Sequence, residues 1–247
     1  MPEIRVNSFK SLKKKKKSAF FLGCSTSINS LTLEQEQKIQ DNFDVWVSNN
    51  FMVHKRIIPD FYHMEIKHHR NGPLIHRLAH QKREEYQNVS WIIDQTRTYI
   101  LNYVSINDYP HENFYLYPKV YRKEEHGKYN PDPNNISVSC NASITVIADI
   151  MSRMGYENIY FYGVDMNDSR YFWSGNKDYA DVQMEDIVKS CKPDERSIED
   201  PHPTMHMKDY LPEYLSYNNV KAVNLSPNSL LSKKMKTINI SEVLNEF

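Results

Sequence analysis

The chain has 247 residues, 31 basic and 31 acidic, enough for one large α/β domain or two small ones, and its balanced charge argues against nucleic acid as a partner. Three widely spaced cysteines, Cys24, Cys140 and Cys191, exclude zinc-site spacing and a disulfide framework and fit a reducing cytoplasmic compartment. Seventeen tyrosines against six glycines supply many aromatic hydroxyls, suited to sugar or phosphate contacts and equally to half-buried packing.

Residues 1–18 read as a poorly ordered basic arm ahead of a domain covering 19–247. Its five lysines, Lys13 to Lys17, read as a solvated patch or as a peripheral contact with an anionic membrane surface. The charged run, the apolar patch and the sequence LGC at 22–24 resemble the start of a secreted, lipid-modified protein. The apolar run covers only 19–22, however, and a secretory signal needs about 7–15 such residues. No stretch approaches the ~20 apolar residues of a membrane span. The better reading is a first strand at 18–22 that breaks at Gly23 into a small-residue loop reaching Ile28.

A helix is expected at 31–42, with Thr32 as N-cap ahead of Gln35. Strands follow at 43–48 and 59–65, then a helical pattern at 73–87 and strands at 90–93 and 113–117. Residues 142–154 (ASITVIADIMSRM) form an apolar helix closed by Gly155. It leads into a buried strand at 158–162 and the turn at Gly163 and Asp165. Residues of about 168–211 are polar, aromatic and broken by prolines, and read as a lid excursion over the sheet edge. A helix beginning at Pro212, a strand at 221–224 and the sequence SPNSLL at 226–231 complete the chain. The alternation, without repeats, predicts a single Rossmann-like, doubly wound α/β domain with a mostly parallel sheet.

Ligands of such folds bind outside the carboxyl ends of the strands. Those ends carry Gly23 to Ile28, Asn49, His63, Gly163 with Asp165, and Pro227 with Asn228. Their Asn, Ser, Thr and Asp side chains can bind ribose, base edges or phosphate without a metal. The first loop has neither the glycine-rich dinucleotide fingerprint nor the GK[ST] of a P-loop. Among proton-transfer groups, His202 and His206 lie in the lid. Pro203 and the lack of a third ligand disfavour a metal there, whereas a histidine base suits an acceptor hydroxyl near neutral pH.

The loop GCSTSI, the run NFDVWVSNNF, the block MGYENIYFYGVDM and the tail SPNSLL occur in this order. Together they resemble GNGPSL, NDFDVFRCNQF, LGYKEIYLSGIDF and CPNSLL of the bacterial sialyltransferases of glycosyltransferase family 42 and related sialyltransferase-like proteins. The resemblance covers most of residues 19–231. It implies a Rossmann-like domain whose lid closes over CMP-sialic acid, and inverting transfer without a metal cofactor. His202, 25 positions before Pro227, takes the place of the catalytic base. Two lid tyrosines of the family stabilise the departing phosphate; Tyr171 takes the place of the first, and Tyr179 is the candidate for the second. Asn49, Gly163, Asp165, Pro227, Asn228 and Ser229 fall on nucleotide and sugar contacts, as does Ser143, with Asn141 as a substitute nearby.

Gly23 and Ser25 belong to the donor-facing loop. Cys24 and His63 stand where the family has asparagines, and Cys140 stands where it has an arginine, so the resemblance carries the CMP half further than the sugar. It implies a cytoplasmic enzyme, a CMP-sugar donor, a bacterial surface-glycan or glycolipid acceptor, and a homo-oligomer. Alternatives are a transferase using CMP-Kdo, a magnesium-dependent pterin or nucleotide diphosphokinase, and a degenerate sugar-nucleotide binding module.

Overall fold

A computed structural model describes residues 6–64, 72–94, 113–117, 119–120, 136–137, 143–167, 170–180, 207–217 and 219–247. The main sheet contains β1 (Val6–Ser8), β2 (Ala19–Leu22), β3 (Asp44–Ser48), β4 (Phe61–Met64), β5 (Ser90–Asp94), β6 (Phe114–Tyr117), β9 (Ile159–Tyr162) and β10 (Ala222–Asn224). Two short strands, β7 (Lys119–Val120) and β8 (Ile136–Ser137), pair separately. The eight strands run in the order β1-β6-β5-β4-β3-β2-β9-β10, and every neighbouring pair is parallel.

Central strands of a parallel sheet are covered on both faces, and β2 accordingly reads AFFL with all four residues buried. Alternation sends Phe20 and Leu22 into one core and Ala19 and Phe21 into the other. The first core is covered by α1 (Leu33–Asn42), α2 (Gly72–Gln81) and α5 (Ile240–Leu244). The second is covered by α3 (Ser143–Arg153) and α4 (Met207–Tyr217). Each fully buried large apolar side chain contributes about 1.5–3 kcal/mol.

The expected caps form. Thr32 and Gln35 make a reciprocal capping box at the start of α1, and Gly155 follows α3 with φ of 68°. Three expectations change. Residues 6–18 are integrated with the domain: β1 pairs with β6 at the sheet edge, and Lys15 donates its backbone N–H to buried Asp44 and its ammonium to Asp60, each at 2.8 Å. The helix expected from Pro212 begins at Met207, so the proline lies inside α4, where a ring without an N–H is tolerated at a cost.

Residues 170–180, assigned by sequence to the lid, are packed into the body of the protein. Phe172, Trp173 and Tyr179 are buried in the first core, and Phe172 donates its N–H to Cys24 O at 2.9 Å. Residues 181–206 lie outside the described residues.

A polar knot holds 170–180 against the segment after β3. Glu36, on α1, accepts from Arg56 Nε and Nη2 at 2.6 and 2.5 Å, and His54 Nε2 lies 3.5 Å from the same carboxylate. His54 Nδ1 accepts the N–H of Ile57 at 3.2 Å, which leaves the ring proton on Nε2, facing Glu36. The ring packs between Phe51 and Phe172, with centroids at 5.2 and 5.5 Å. Burial, then the Arg56 and Lys82 cations, push the imidazole down to about 3. Glu36 does not reverse this, because its charge is already engaged by Arg56.

Candidate functional site

Strand order reverses between β2 and β9: the chain winds outward from β2 to β6 on one side and from β9 to β10 on the other. Loops diverge at such a switch point and leave a crevice. Here Gly23 and Gly163 cross in backbone contact. A Cβ on Gly23 would lie 2.2 Å from Gly163 O. A Cβ on Gly163, whose φ is 73°, would lie 2.6 Å from Ile28 Cδ1. Both positions therefore need glycine.

Beside this crossing opens a cleft of about 690 Å³. Thr26, Ser27 and Ser30 line it from the turn Thr26–Ser30 after β2. Tyr162, Asp165, Asn167 and Arg170 line it from the end of β9 and beyond, and Ser226, Pro227 and Asn228 from the loop after β10. The Ser27 hydroxyl donates to Asp165 Oδ1 at 2.7 Å, and its backbone N–H donates to Oδ2 at 3.1 Å. Asp165 N–H donates to Ser25 Oγ at 3.1 Å, so the first loop and the turn after β9 are tied in both directions.

The loop after β10 is fixed in the same way. Ser226 Oγ accepts Gly163 N–H at 3.1 Å, Ser229 Oγ donates to Val164 O at 2.5 Å, and Leu230 N–H donates to Asp165 O at 3.0 Å. Asn167 Nδ2 reaches Asn228 O at 2.6 Å across the cleft. The Tyr162 hydroxyl donates to Ser27 O at 3.0 Å. Burial pushes that phenol up, and the Asp165 charge adds to the effect against a hydrogen bond with Ser30.

Nine of the residues expected from sequence fall into three groups. Asp165, Pro227 and Asn228 line the cleft. Gly23, Ser25, Gly163 and Ser229 build its walls through backbone contacts and internal hydrogen bonds. Asn49 and Ser143 meet each other instead, with Asn49 Nδ2 donating to Ser143 Oγ at 2.9 Å, on the other side of the first loop.

Cys24 is half-buried, its Sγ 3.9 Å from Ser48 O. His63 departs furthest from expectation. It is fully buried, with Nε2 2.8 Å from the Tyr117 hydroxyl, and it is not among the described residues that line the cleft. Tyr171 is bridged to Ser25, and its ring stacks on Trp173 at 4.4 Å and 12°. Asn141 and His202 lie outside the described residues, as do His206 and Cys140.

Sequence reading placed Thr26, Ser27 and Ser226 in ligand-facing loops without singling out their side chains, and it missed Ser30, Tyr162, Asn167 and Arg170. Most stand within one or two positions of residues already singled out at strand ends; the signal was the loop, and which side chains of it face the cleft is set by the turn geometry. Arg170 was hidden by the assignment of its segment to the lid.

No protein-family profile matches the chain, and no curated protein matches it by sequence. Solved structures do. A variant of the sialyltransferase CST-II in complex with CMP is similar with a TM-score of 0.52 and 16 % identity, over 90 % of this chain and 87 % of that one. The sialyltransferase CstII from Campylobacter jejuni, in complex with a substrate analogue, cytidine-5′-monophosphate, aligns over 91 % of this chain and 86 % of that one, with 14 % identity and a TM-score of 0.49. On the first of these, this chain shares the fold of a CMP-bound sialyltransferase along nearly its whole length.

Proposed function

We propose that the protein is a glycosyltransferase that moves an acidic nonulosonic sugar from a CMP donor to a hydroxyl of a bacterial surface-glycan acceptor. The observation that carries this reading is the cleft at the strand-order switch, lined by hydroxyls, amides, one carboxylate and one guanidinium, on a fold shared with a CMP-bound sialyltransferase. Such a lining suits the ribose and phosphate of a nucleotide, and its walls are held by hydrogen bonds that need no ligand to form.

In this reading an acceptor hydroxyl attacks the anomeric carbon from the face opposite CMP. The new glycosidic bond forms as the bond from that carbon to the phosphate oxygen breaks, and the electron pair leaves with CMP. His202 takes the hydroxyl proton, as its resemblance to the family base implies. The Tyr171 hydroxyl donates to the departing phosphate. Its backbone is fixed by the bridge to Ser25 and its ring by Trp173. No step calls on a metal, so transfer should survive EDTA.

The test is His202→Ala. Transfer from CMP-sialic acid is expected to fall by at least about 100-fold, the scale of a lost general base, while CMP binding by calorimetry stays within about twofold, as a base aimed at the acceptor predicts. Full activity in that variant removes the histidine from the mechanism. Failure of the wild-type protein to bind CMP removes the proposal altogether.

A further inference from the structure

Two charged groups belong to the cleft among the described residues that line it, Asp165 and Arg170, and they are not equivalent. Asp165 is 5 % exposed, and both of its oxygens take hydrogen bonds from Ser27. A carboxylate oxygen has a second acceptor site, so Asp165 can still receive ligand hydroxyls while repelling an anion. Arg170 is solvent-exposed and lines the same cleft, five positions further along the chain. Asn167, between the two in sequence, donates to Asn228 O. The described lining thus offers one buried acceptor of hydroxyl protons and one exposed planar cation.

We infer that Arg170 is the phosphate-recognising residue of the cleft, and that it orients a nucleoside monophosphate with its ribose hydroxyls at Asp165 and its phosphate at the guanidinium. A guanidinium presents paired N–H donors that match two phosphate oxygens, which an ammonium or an amide does not. The other described residues of the lining are neutral, so an anionic group is drawn to the guanidinium. This assignment rests on the CMP-donor reading above. It goes beyond that reading by naming the group that tells a nucleotide from a nucleoside.

The experiment compares CMP with cytidine, by calorimetry, on the wild-type protein and on Arg170→Gln and Arg170→Lys. The wild type is expected to prefer CMP. Arg170→Gln should weaken CMP by about 10- to 100-fold, the worth of a hydrogen bond to a charged group, and leave cytidine within about twofold. Arg170→Lys should fall between, because it keeps the charge and loses the paired geometry. Equal weakening of CMP and cytidine overturns the assignment in favour of a structural arginine. Unchanged CMP affinity with a raised KM for CMP-sialic acid overturns it too, and gives Arg170 to the sugar carboxylate. In both outcomes CMP still binds the wild type, so the donor reading stands; a wild type that binds neither compound sinks that reading instead.

Discussion

Two glycines differ in what a methyl group would meet, and the difference can be measured. At Gly23 a Cβ would lie 2.2 Å from a backbone carbonyl that cannot rotate away. Gly23→Ala should therefore cost about 3 kcal/mol or more in urea unfolding, the upper range for overpacking. At Gly155, with φ of 68°, nothing lies within 4 Å. Gly155→Ala should cost only the left-handed backbone penalty of roughly 1–2 kcal/mol. Equal losses in the two variants would show that the contact between the first loop and Gly163 is not what holds the cleft.

Gly23 was legible in the sequence as the break after a buried strand; its partner was not, because the approach of Gly163 is set by tertiary packing. His63 shows the converse. A histidine at a strand end has the right address for a ligand contact, yet here its ring is buried against Tyr117 and stands outside the described lining of the cleft.

At the scale of elements, the knot of Glu36, His54 and Arg56 joins α1, the segment after β3 and the stretch that carries Arg170 and Tyr171. Its histidine gives the fold an acid limit. His54 has a folded-state value of about 3 against an ordinary 6.5, so between those values the unfolded chain binds the proton and the native protein does not. Stability is then complete above pH 6.5 and falls as pH drops below it. By about pH 4.5 the loss from this group is of the order of 2–3 kcal/mol. In His54→Gln, urea unfolding should show a correspondingly smaller difference between neutral and acid pH; an unchanged slope would assign the acid sensitivity elsewhere.

The strands of the central sheet were readable because parallel strands buried on both faces are continuous apolar runs, AFFL and VWV among them. The stretch from 170 to 180 was not. Its aromatic residues, three in a row at 171–173 and one at 179, follow no helical or strand period, and contact with Phe51 and His54 shows that Phe172 is core.

For the whole molecule, the amino-terminal segment is the part most misjudged from sequence. A lysine-rich run looks like a solvated arm, and nothing in its composition announces that the three residues of β1 close the edge of the sheet beside β6. An uncovered parallel edge invites pairing with other chains. A variant lacking residues 1–11 should unfold several degrees lower, since a loss of about 1 kcal/mol shifts the midpoint of a large domain by about 2–4 °C. It should also elute with larger species in size-exclusion chromatography. Unchanged melting and elution would make β1 dispensable.

The lysines also give the molecule an up and a down. Lys14 binds Gly155 O at 2.6 Å beyond the end of α3, Lys15 pairs with Asp60 at 2.8 Å ahead of β4, and Lys17 lies 3.9 Å from Glu157 ahead of β9. All of these stand at the amino ends of the strands, whereas the cleft opens at the carboxyl ends. The two are separated by at least the height of a four-residue strand, about 13 Å. An anionic surface that touched the lysines would compete with Asp60 and Glu157 for Lys15 and Lys17, and it would then lie beneath a mouth pointing away from it. A glycan rooted in that surface would need to reach around the sheet, so an acceptor that comes to the mouth directly arrives from the opposite side.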